Sequence, residues 1–95
     1  MQKKDLVEQI SVKTGIERPT VKLIVEGFME AVQEDLIAGE NIYLRGFGSF
    51  VIKKRKQKAA WHIGDGKPVM VPAHCIPAFN PNPTFVKKIK KSVNP

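Results

Sequence analysis

Apolar residues recur at helical spacing near the start of the chain, and this spacing predicts a first helix over residues 3–14. Leu6 and Ile10 lie four residues apart, so they share one side of that helix. Gly15 follows directly and can end the helix in the left-handed conformation that glycine adopts at low cost. The first element is therefore a short amphipathic helix.

A second and longer helix is predicted over residues 18–38. Pro19 suits its first turn, and Gly39 is a stop signal. The apolar stripe of this helix is wide enough to be covered by two partners, the first helix and a second subunit. We interpret it as core packing and not as a ligand site. Its members are Val21, Ile24, Val25, Phe28, Val32 and Leu36.

The period of the pattern then changes from helical to alternating, which predicts strands. Residues 41–45 form the first strand, and the turn Gly46-Phe47-Gly48 leads into the next. Phe50 and Ile52 are expected to point to the core, and past Ile52 the strand is expected to leave the body. The opposite face then carries Ser49, Val51, Lys53 and Arg55.

A long two-stranded ribbon with a basic shaft and a hydrophobic tip is predicted from Leu44 to Phe79. Asp65-Gly66 has the composition of a two-residue hairpin turn, and folding about it pairs Ile63 with Pro68 and Trp61 with Met70. Pro68 and Pro72 lack N–H donors, so their strand should be an edge or bulged. An isolated hairpin is marginally stable in water, so this arm needs a base and a partner. The shaft carries Lys53, Lys54, Arg55, Lys56 and Lys58, and the tip carries Trp61, His62 and Ile63.

Residues 80–95 are predicted to finish the chain with a helix. Asn82-Pro83 is a cap followed by a first-turn proline, and Phe85 and Ile89 are its apolar positions. The remainder of that helix is basic, through Lys87, Lys88, Lys90 and Lys91. A solvated face explains these lysines as well as nucleic-acid contact does.

Charge divides the chain into two unlike parts. The net charge is +7, but residues 1–44 carry five Lys/Arg and eight Asp/Glu, a balance of −3. Residues 45–95 carry eleven Lys/Arg and one acid, Asp65, a balance of +10. Such a division predicts that one part of the molecule binds a polyanion, with nucleic acid favoured over an acidic membrane surface.

Other chemistry has less support in the sequence. The single cysteine excludes an internal disulfide and fits a reducing cytosol, and neither a membrane span nor a signal peptide is expected. His62, His74 and Cys75 do not have zinc-ligand spacing, and we interpret Cys75 as a buried strand residue. No cluster of titratable residues suggests an enzyme. Two plainer interpretations remain open, a solvated charge run at Lys53–Lys58 and a core pair of Trp61 and Ile63.

Two motifs carry a family resemblance. The runs Arg45-Gly46-Phe47-Gly48-Ser49-Phe50 and Ile76-Pro77-Ala78-Phe79 resemble those of the HU/IHF family of bacterial DNA-bending proteins, and the likeness covers nearly the whole chain. The resemblance implies an α+β fold: a helical base under a three-stranded antiparallel sheet with a long β-ribbon arm, in an intertwined dimer. It implies one domain, with a dimerisation part at 1–40, sheet and arm at 41–79, and a C-terminal helix at 80–95.

The resemblance also implies how the chain acts. It implies binding to double-stranded DNA through the minor groove with little sequence specificity, and bending and compaction of the bacterial nucleoid in the cytoplasm. The expected assembly is a homodimer, or a heterodimer with a paralogue, with no metal, cofactor or catalytic residue. A site-specific IHF-like factor and an RNA-binding or ribosome-associated basic protein remain alternatives.

The resemblance carries over to individual positions, with a departure at the tip. Many members have Arg-Asn-Pro where this chain has Trp61-His62-Ile63, so Ile63 becomes the expected intercalating wedge. Absence of the arginine predicts weaker attraction to narrow A·T-rich grooves. The expected DNA-binding residues are Lys3, Arg45, Gly46, Gly48, Ser49, Lys53, Arg55, Lys58, Trp61, His62, Ile63, Lys67, Asn82 and Lys87.

Overall fold

The computed structural model describes residues 1–61, 64, 66 and 68–95, of which residues 60 and 61 by their backbone alone. These residues form an α+β fold, as predicted. The helices are α1 (Lys3–Thr14), α2 (Arg18–Ile37) and α3 (Pro83–Ser92), and the strands are β1 (Ile42–Leu44), β2 (Gly48–Arg55), β3 (Lys58–Trp61), β4 (Pro68–Val71) and β5 (His74–Pro81).

The two N-terminal helices pack against each other through a small apolar contact. Val7 of α1 and Val21 of α2 are only 6% and 3% exposed. Gly15 ends α1 at a φ of 76°, which confirms its predicted left-handed cap. The second helix begins and ends within one residue of its predicted bounds.

The base of the sheet has three antiparallel strands in the order β1-β2-β5. β1 pairs with β2 only as far as Phe50, and the side chain of Asn41 then accepts a 3.1 Å hydrogen bond from the Ile52 N–H. Beyond Ile52, β2 pairs with β5 alone. The prediction that the strand leaves the body past Ile52 is therefore confirmed.

The arm continues the ribbon in an unchanged register across a short interruption. Arg55 pairs with His74, and three residues further along each strand Lys58 pairs with Val71. Equal steps on both strands leave no bulge, so the proline-containing strand is an edge strand. The interruption covers residues 56–57 and 72–73, where Pro72 cannot donate to a ladder.

The predicted pairing of the arm was displaced by two residues. Trp61 pairs with Pro68 and not with Met70, whose partner is Ala59. The arm keeps the register of the sheet base. The base therefore sets the register of the arm, and a turn centred on Asp65-Gly66 does not. A two-residue turn at that dipeptide involves residue 65, which lies outside the described residues.

Aromatic rings connect the sheet to both of its neighbouring helices. The ring centroids of Phe50 and Phe79 are 5.1 Å apart, and Phe28 of α2 meets Phe50 edge-on at 6.4 Å. Phe47 lies 5.0 Å from Phe79 and stacks on Phe85 of α3 at 6.0 Å. These contacts fix α2 under the sheet and α3 against the turn.

The single chain leaves much of its apolar surface uncovered. Val7 and Val21 are the buried apolar residues of the described part, whereas Leu23 is 72% and Ile37 is 87% exposed. The prediction that Cys75 is buried is wrong: it is exposed, because it lines an open groove between α2 and the sheet that no segment of the described chain fills. The radius of gyration is 18.6 Å, against roughly 12–13 Å for a compact chain of this length.

Candidate nucleic-acid interface

The face of the sheet that points away from α2 carries three of the predicted DNA-binding residues. Ser49, Lys53 and Arg55 lie at alternate positions of β2, on the face opposite Phe50. They span about 20 Å along the strand at the usual rise per residue. The structure therefore brings these three residues into one row, as their spacing predicted.

The Gly46-Phe47-Gly48 turn places three predicted DNA-binding residues, Arg45, Gly46 and Gly48, at one end of this row. Gly46 has a φ of 84°, in the region that glycine favours. A Cβ on Gly48 would lie 2.5 Å from the Asn80 carbonyl oxygen, so only glycine lets the two strands approach this closely. Arg45 is exposed beside this turn, next to β1.

The same turn holds the start of α3. The Phe47 carbonyl accepts a 2.9 Å hydrogen bond from the Asn82 N–H. The Asn82 side chain in turn caps the helix, since its Oδ1 accepts from the Thr84 N–H at 2.9 Å. The predicted helix start is thus confirmed, and it lies beside the turn. Lys87 is exposed on α3.

Cations from both strands surround a concave site at the base of the arm. Its volume is about 520 Å³, and it is lined by Arg55, Lys56, Lys58, Val71, His74 and Ile76. The interruption of the ladder at residues 56–57 lets cations from successive positions line one concavity, which strict alternation would separate. Lys58, predicted as a DNA contact, belongs to this group.

The ion pairs of the described residues lie in the helical part. Lys3 Nζ is 2.7 Å from a Glu26 carboxylate oxygen, and Arg18 is 2.7 Å from Glu8. The hydrogen bond from Lys3 lowers the pKa of Glu26 below its ordinary value of 4.5. Lys3 of α1 therefore already has a partner within the chain. The described cations of the sheet and arm have no described carboxylate within ion-pair distance.

The tip of the arm is described only in part. The backbone of Trp61 forms the last described pair of the arm, opposite Pro68. His62, Ile63 and Lys67, all predicted DNA contacts, lie outside the described residues. The assignment of Ile63 as the wedge therefore stays a prediction.

Two candidate residues on the sheet face were not selected from the sequence. Asn80 pairs with Ser49, and His74 pairs with Arg55, so both belong to the face of the basic row. Counting alternate positions back from Phe79 places Cys75 on the helix-facing side and His74 on the other. That signal was present in the sequence, but His74 was considered as a metal ligand and not as a DNA contact.

Two further properties concern other classes of site. In the described part of the chain, no three His, Cys, Asp or Glu side chains are grouped as ligands of a metal ion would be. Of the helices formed by the described residues, none combines the length and the apolar character that crossing a bilayer requires.

Comparison with known proteins identifies the family of this chain. The family model described as "Bacterial DNA-binding protein" matches residues 1–90. The chain is 36% identical to DNA-binding protein HU of Thermus thermophilus, over 94% of this chain and 92% of the relative. It is 34% identical to integration host factor subunit beta of Alkalilimnicola ehrlichii, over 99% and 91% of the two chains.

A solved structure agrees with these relatives. The fold matches a chain of the Anabaena HU–DNA cocrystal structure with a TM-score of 0.90 and 26% identity, covering 95% of this chain and 98% of that one. The match extends over helices, sheet and arm, so it is not limited to one motif. The chain therefore belongs to the HU/IHF family of bacterial DNA-binding proteins.

Proposed function

We propose that this chain binds double-stranded DNA with little sequence specificity, and that it bends and compacts the duplex as an architectural protein of the bacterial nucleoid. The observation that carries the proposal is the row of Ser49, Lys53 and Arg55 on the outer face of the sheet, continued by the cations of the arm. These cations lie apart from the carboxylates of the described chain, which leaves them available to phosphates. Relatives named for DNA binding, and a neighbour solved with DNA, support the same ligand.

The energetics of bending explain why such a surface is useful. Bending a short duplex costs on the order of 1–10 kcal/mol, depending on sequence and angle. Phosphate neutralisation along the sheet and arm offsets that cost. We propose that the arm enters the minor groove and that Ile63 unstacks one base step, which lowers the local stiffness. The contacts proposed here are to phosphates and to the minor groove, which distinguish base pairs poorly, so sequence preference should be small.

We propose that the binding unit is a homodimer. Leu23, Ile24 and Ile37 are between 59% and 87% exposed, which is a high cost for a chain in water. A second copy that covers α2 and the groove beside Ile52 would complete the core. Sedimentation of the purified protein should give the mass of two chains, and a monomer at micromolar concentration would contradict this.

The proposed function is tested by measuring DNA affinity and DNA shape together. A short duplex labelled at both ends with a FRET pair is titrated with protein at several salt concentrations. We expect the binding constant to fall steeply with salt, and the ends of the duplex to approach each other on binding. Affinity that is insensitive to salt, or an unchanged duplex path, would contradict the proposal.

The same assay separates the alternatives. The likeness to integration host factor favours a site-specific factor as the alternative. The complex of such a factor with its preferred site would persist in an excess of random DNA. If the protein instead binds RNA, duplex RNA should compete with the labelled DNA. If it binds DNA as proposed, duplex RNA should compete poorly, because A-form grooves should not admit the arm in the same way. We further propose a cytoplasmic, nucleoid location, which follows from binding chromosomal DNA, and a non-enzymatic role, since the relatives are named for DNA binding or as host factors and not for a reaction.

A further inference from the structure

We propose that His74 forms a protonation-linked phosphate site at the base of the arm, together with Arg55, Lys56 and Lys58. This inference rests on the proposed DNA binding and adds to it a regulating variable, the proton. When DNA binds, His74 takes up a proton from solvent. Acidic conditions therefore raise the DNA affinity of the site at the base of the arm.

The hydrogen bond of the imidazole fixes which ring nitrogen is free. His74 Nδ1 lies 2.9 Å from the Pro72 carbonyl oxygen. A carbonyl oxygen can only accept, so Nδ1 carries the hydrogen, and in the neutral ring Nε2 presents a lone pair. Nε2 has no hydrogen-bond partner among the described residues. Protonation therefore occurs at Nε2 and converts it from an acceptor into a charged donor.

The surroundings of His74 are suited to an anion. Arg55 lies directly opposite His74, and Lys56 and Lys58 line the same concave site of about 520 Å³. The remaining lining is apolar, from Val71 and Ile76, and none of the described lining residues is a carboxylate. Three cations around one concavity attract a phosphate group, which fits that space and accepts several hydrogen bonds.

The same cations couple the proton to the phosphate. A protonated His74 opposite Arg55 is a like-charge pair, which is unfavourable across two strands. A phosphate between the two side chains removes that repulsion and accepts from Nε2, so it favours the protonated form. A neutral His74 instead directs a lone pair at the phosphate oxygens.

The groups that face His74 come from every adjoining element. Among the described residues they are Lys53 and Arg55 on β2, Lys56 between β2 and β3, and Lys58 on β3. Cys75, the next residue on β5, is opposite Lys54 and on the other face of the ribbon. Histidine is the side chain that ordinarily changes charge between about pH 5 and 8, so a pH response in this range points to an imidazole.

The test compares DNA affinity at about pH 7.5 and about pH 5.5 for four full-length proteins: wild type, His74→Gln, His74→Arg and His62→Gln. The sequence has two histidines, so these variants assign any response between them. We expect wild-type affinity to rise by about threefold to tenfold on acidification, and the salt slope to steepen by about 0.9 per engaged histidine. Since His62 is itself an expected DNA contact, the two variants are compared only for the size of the pH response, and His74→Gln should lose more of this gain than His62→Gln does.

The His74→Arg variant, which carries a permanent positive charge, provides a second measurement. His74→Arg should bind at the higher pH about as tightly as wild type binds at the lower pH, and should lose most of the response. Because His74 is exposed, neither replacement disturbs the core, and equal melting temperatures would verify this. A full pH response in His74→Gln, or one lost only in His62→Gln, would overturn the inference while leaving the proposed function standing. Failure of every protein to bind the duplex at low salt would overturn both.

Discussion

Lys3 Nζ lies 2.7 Å from the carboxylate of Glu26, so a cation predicted to contact DNA is already engaged within the chain. A phosphate must compete with Glu26 for it. We expect Glu26→Gln to raise DNA affinity at low salt and to steepen the salt slope by about 0.9 for each Lys3 released. Fluorescence anisotropy with a labelled duplex measures both quantities. The control is Glu8→Gln, which breaks the Arg18 pair and removes the same charge. Equal gains in the two variants would indicate a general charge effect.

The same ion pair gives stability a dependence on acidic pH. The pKa of Glu26 is lowered below 4.5 in the folded chain, chiefly by the hydrogen bond from Lys3. A lowered carboxyl pKa stabilises the folded state above the unfolded pKa, and this contribution is lost as the pH falls through the folded value. We therefore expect wild type to be slightly more stable than Glu26→Gln at neutral pH, with the difference closing below about pH 4. Urea denaturation at fixed protein concentration measures it, and a difference that persists in acid would contradict the assignment.

The strand alternation of β2 predicts unequal roles for two adjacent lysines. Lys53 lies on the outer face of the sheet, and Lys54 lies opposite Cys75 on the other face. We expect Lys53→Gln to weaken DNA binding and to reduce the salt slope by about 0.9 per arm. The matched Lys54→Gln variant should change both less. Equal losses would mean that the outer face is not the contact surface.

Close approach of two strands makes Gly48 sensitive to a single methyl group. A Cβ there would lie 2.5 Å from the Asn80 carbonyl oxygen and 2.7 Å from the Phe79 ring. We expect Gly48→Ala to lower the free energy of unfolding by about 1–3 kcal/mol. Thermal and urea unfolding decide, and a neutral Gly48→Ala would contradict the packing argument.

A wedge at the arm tip should affect DNA shape more than DNA affinity. We expect Ile63→Ala to reduce the bend angle, because a methyl group unstacks a base step poorly, while the phosphate contacts remain. FRET between the ends of a short duplex reports the angle, and anisotropy reports the affinity. Val69→Ala is the control, since Val69 is an apolar arm residue that pairs with Ala60, one pair before the Trp61–Pro68 pair. An unchanged angle in Ile63→Ala would exclude the wedge.

Local sequence signals predicted the helices and strands of this fold well, because each element has its own capping residues or apolar alternation. Gly15 and Asn82 marked helix ends, and Phe50 and Ile52 marked the inner face of the sheet. The register of the arm was not predictable in the same way. The Asp65-Gly66 pair suggested the centre of the turn. The pairing instead continues the register of the sheet base, so the partner of Trp61 is two residues away from the predicted one. Cys75 was assigned to the core because a free cysteine is usually buried, and the sequence does not show that the groove beside α2 stays open there.

The candidate site was predicted only where one strand supplied it. Ser49, Lys53 and Arg55 follow from alternation within β2 and were found together. Their cross-strand neighbours depend on the pairing of distant segments, so His74 was not connected with Arg55. The concave site also depends on the interruption at residues 56–57, which appears only once both strands are placed.

The interruption at residues 56–57 and 72–73 divides the ribbon into an inner part, in which β2 pairs with β5, and an outer part, in which β3 pairs with β4. Since the partners on both sides keep the same register, the outer part is expected to tilt at Pro72 without any strand slipping against the other. If the arm binds DNA as proposed, such a tilt would let its outer part adjust to duplexes of different curvature at little cost in backbone hydrogen bonds.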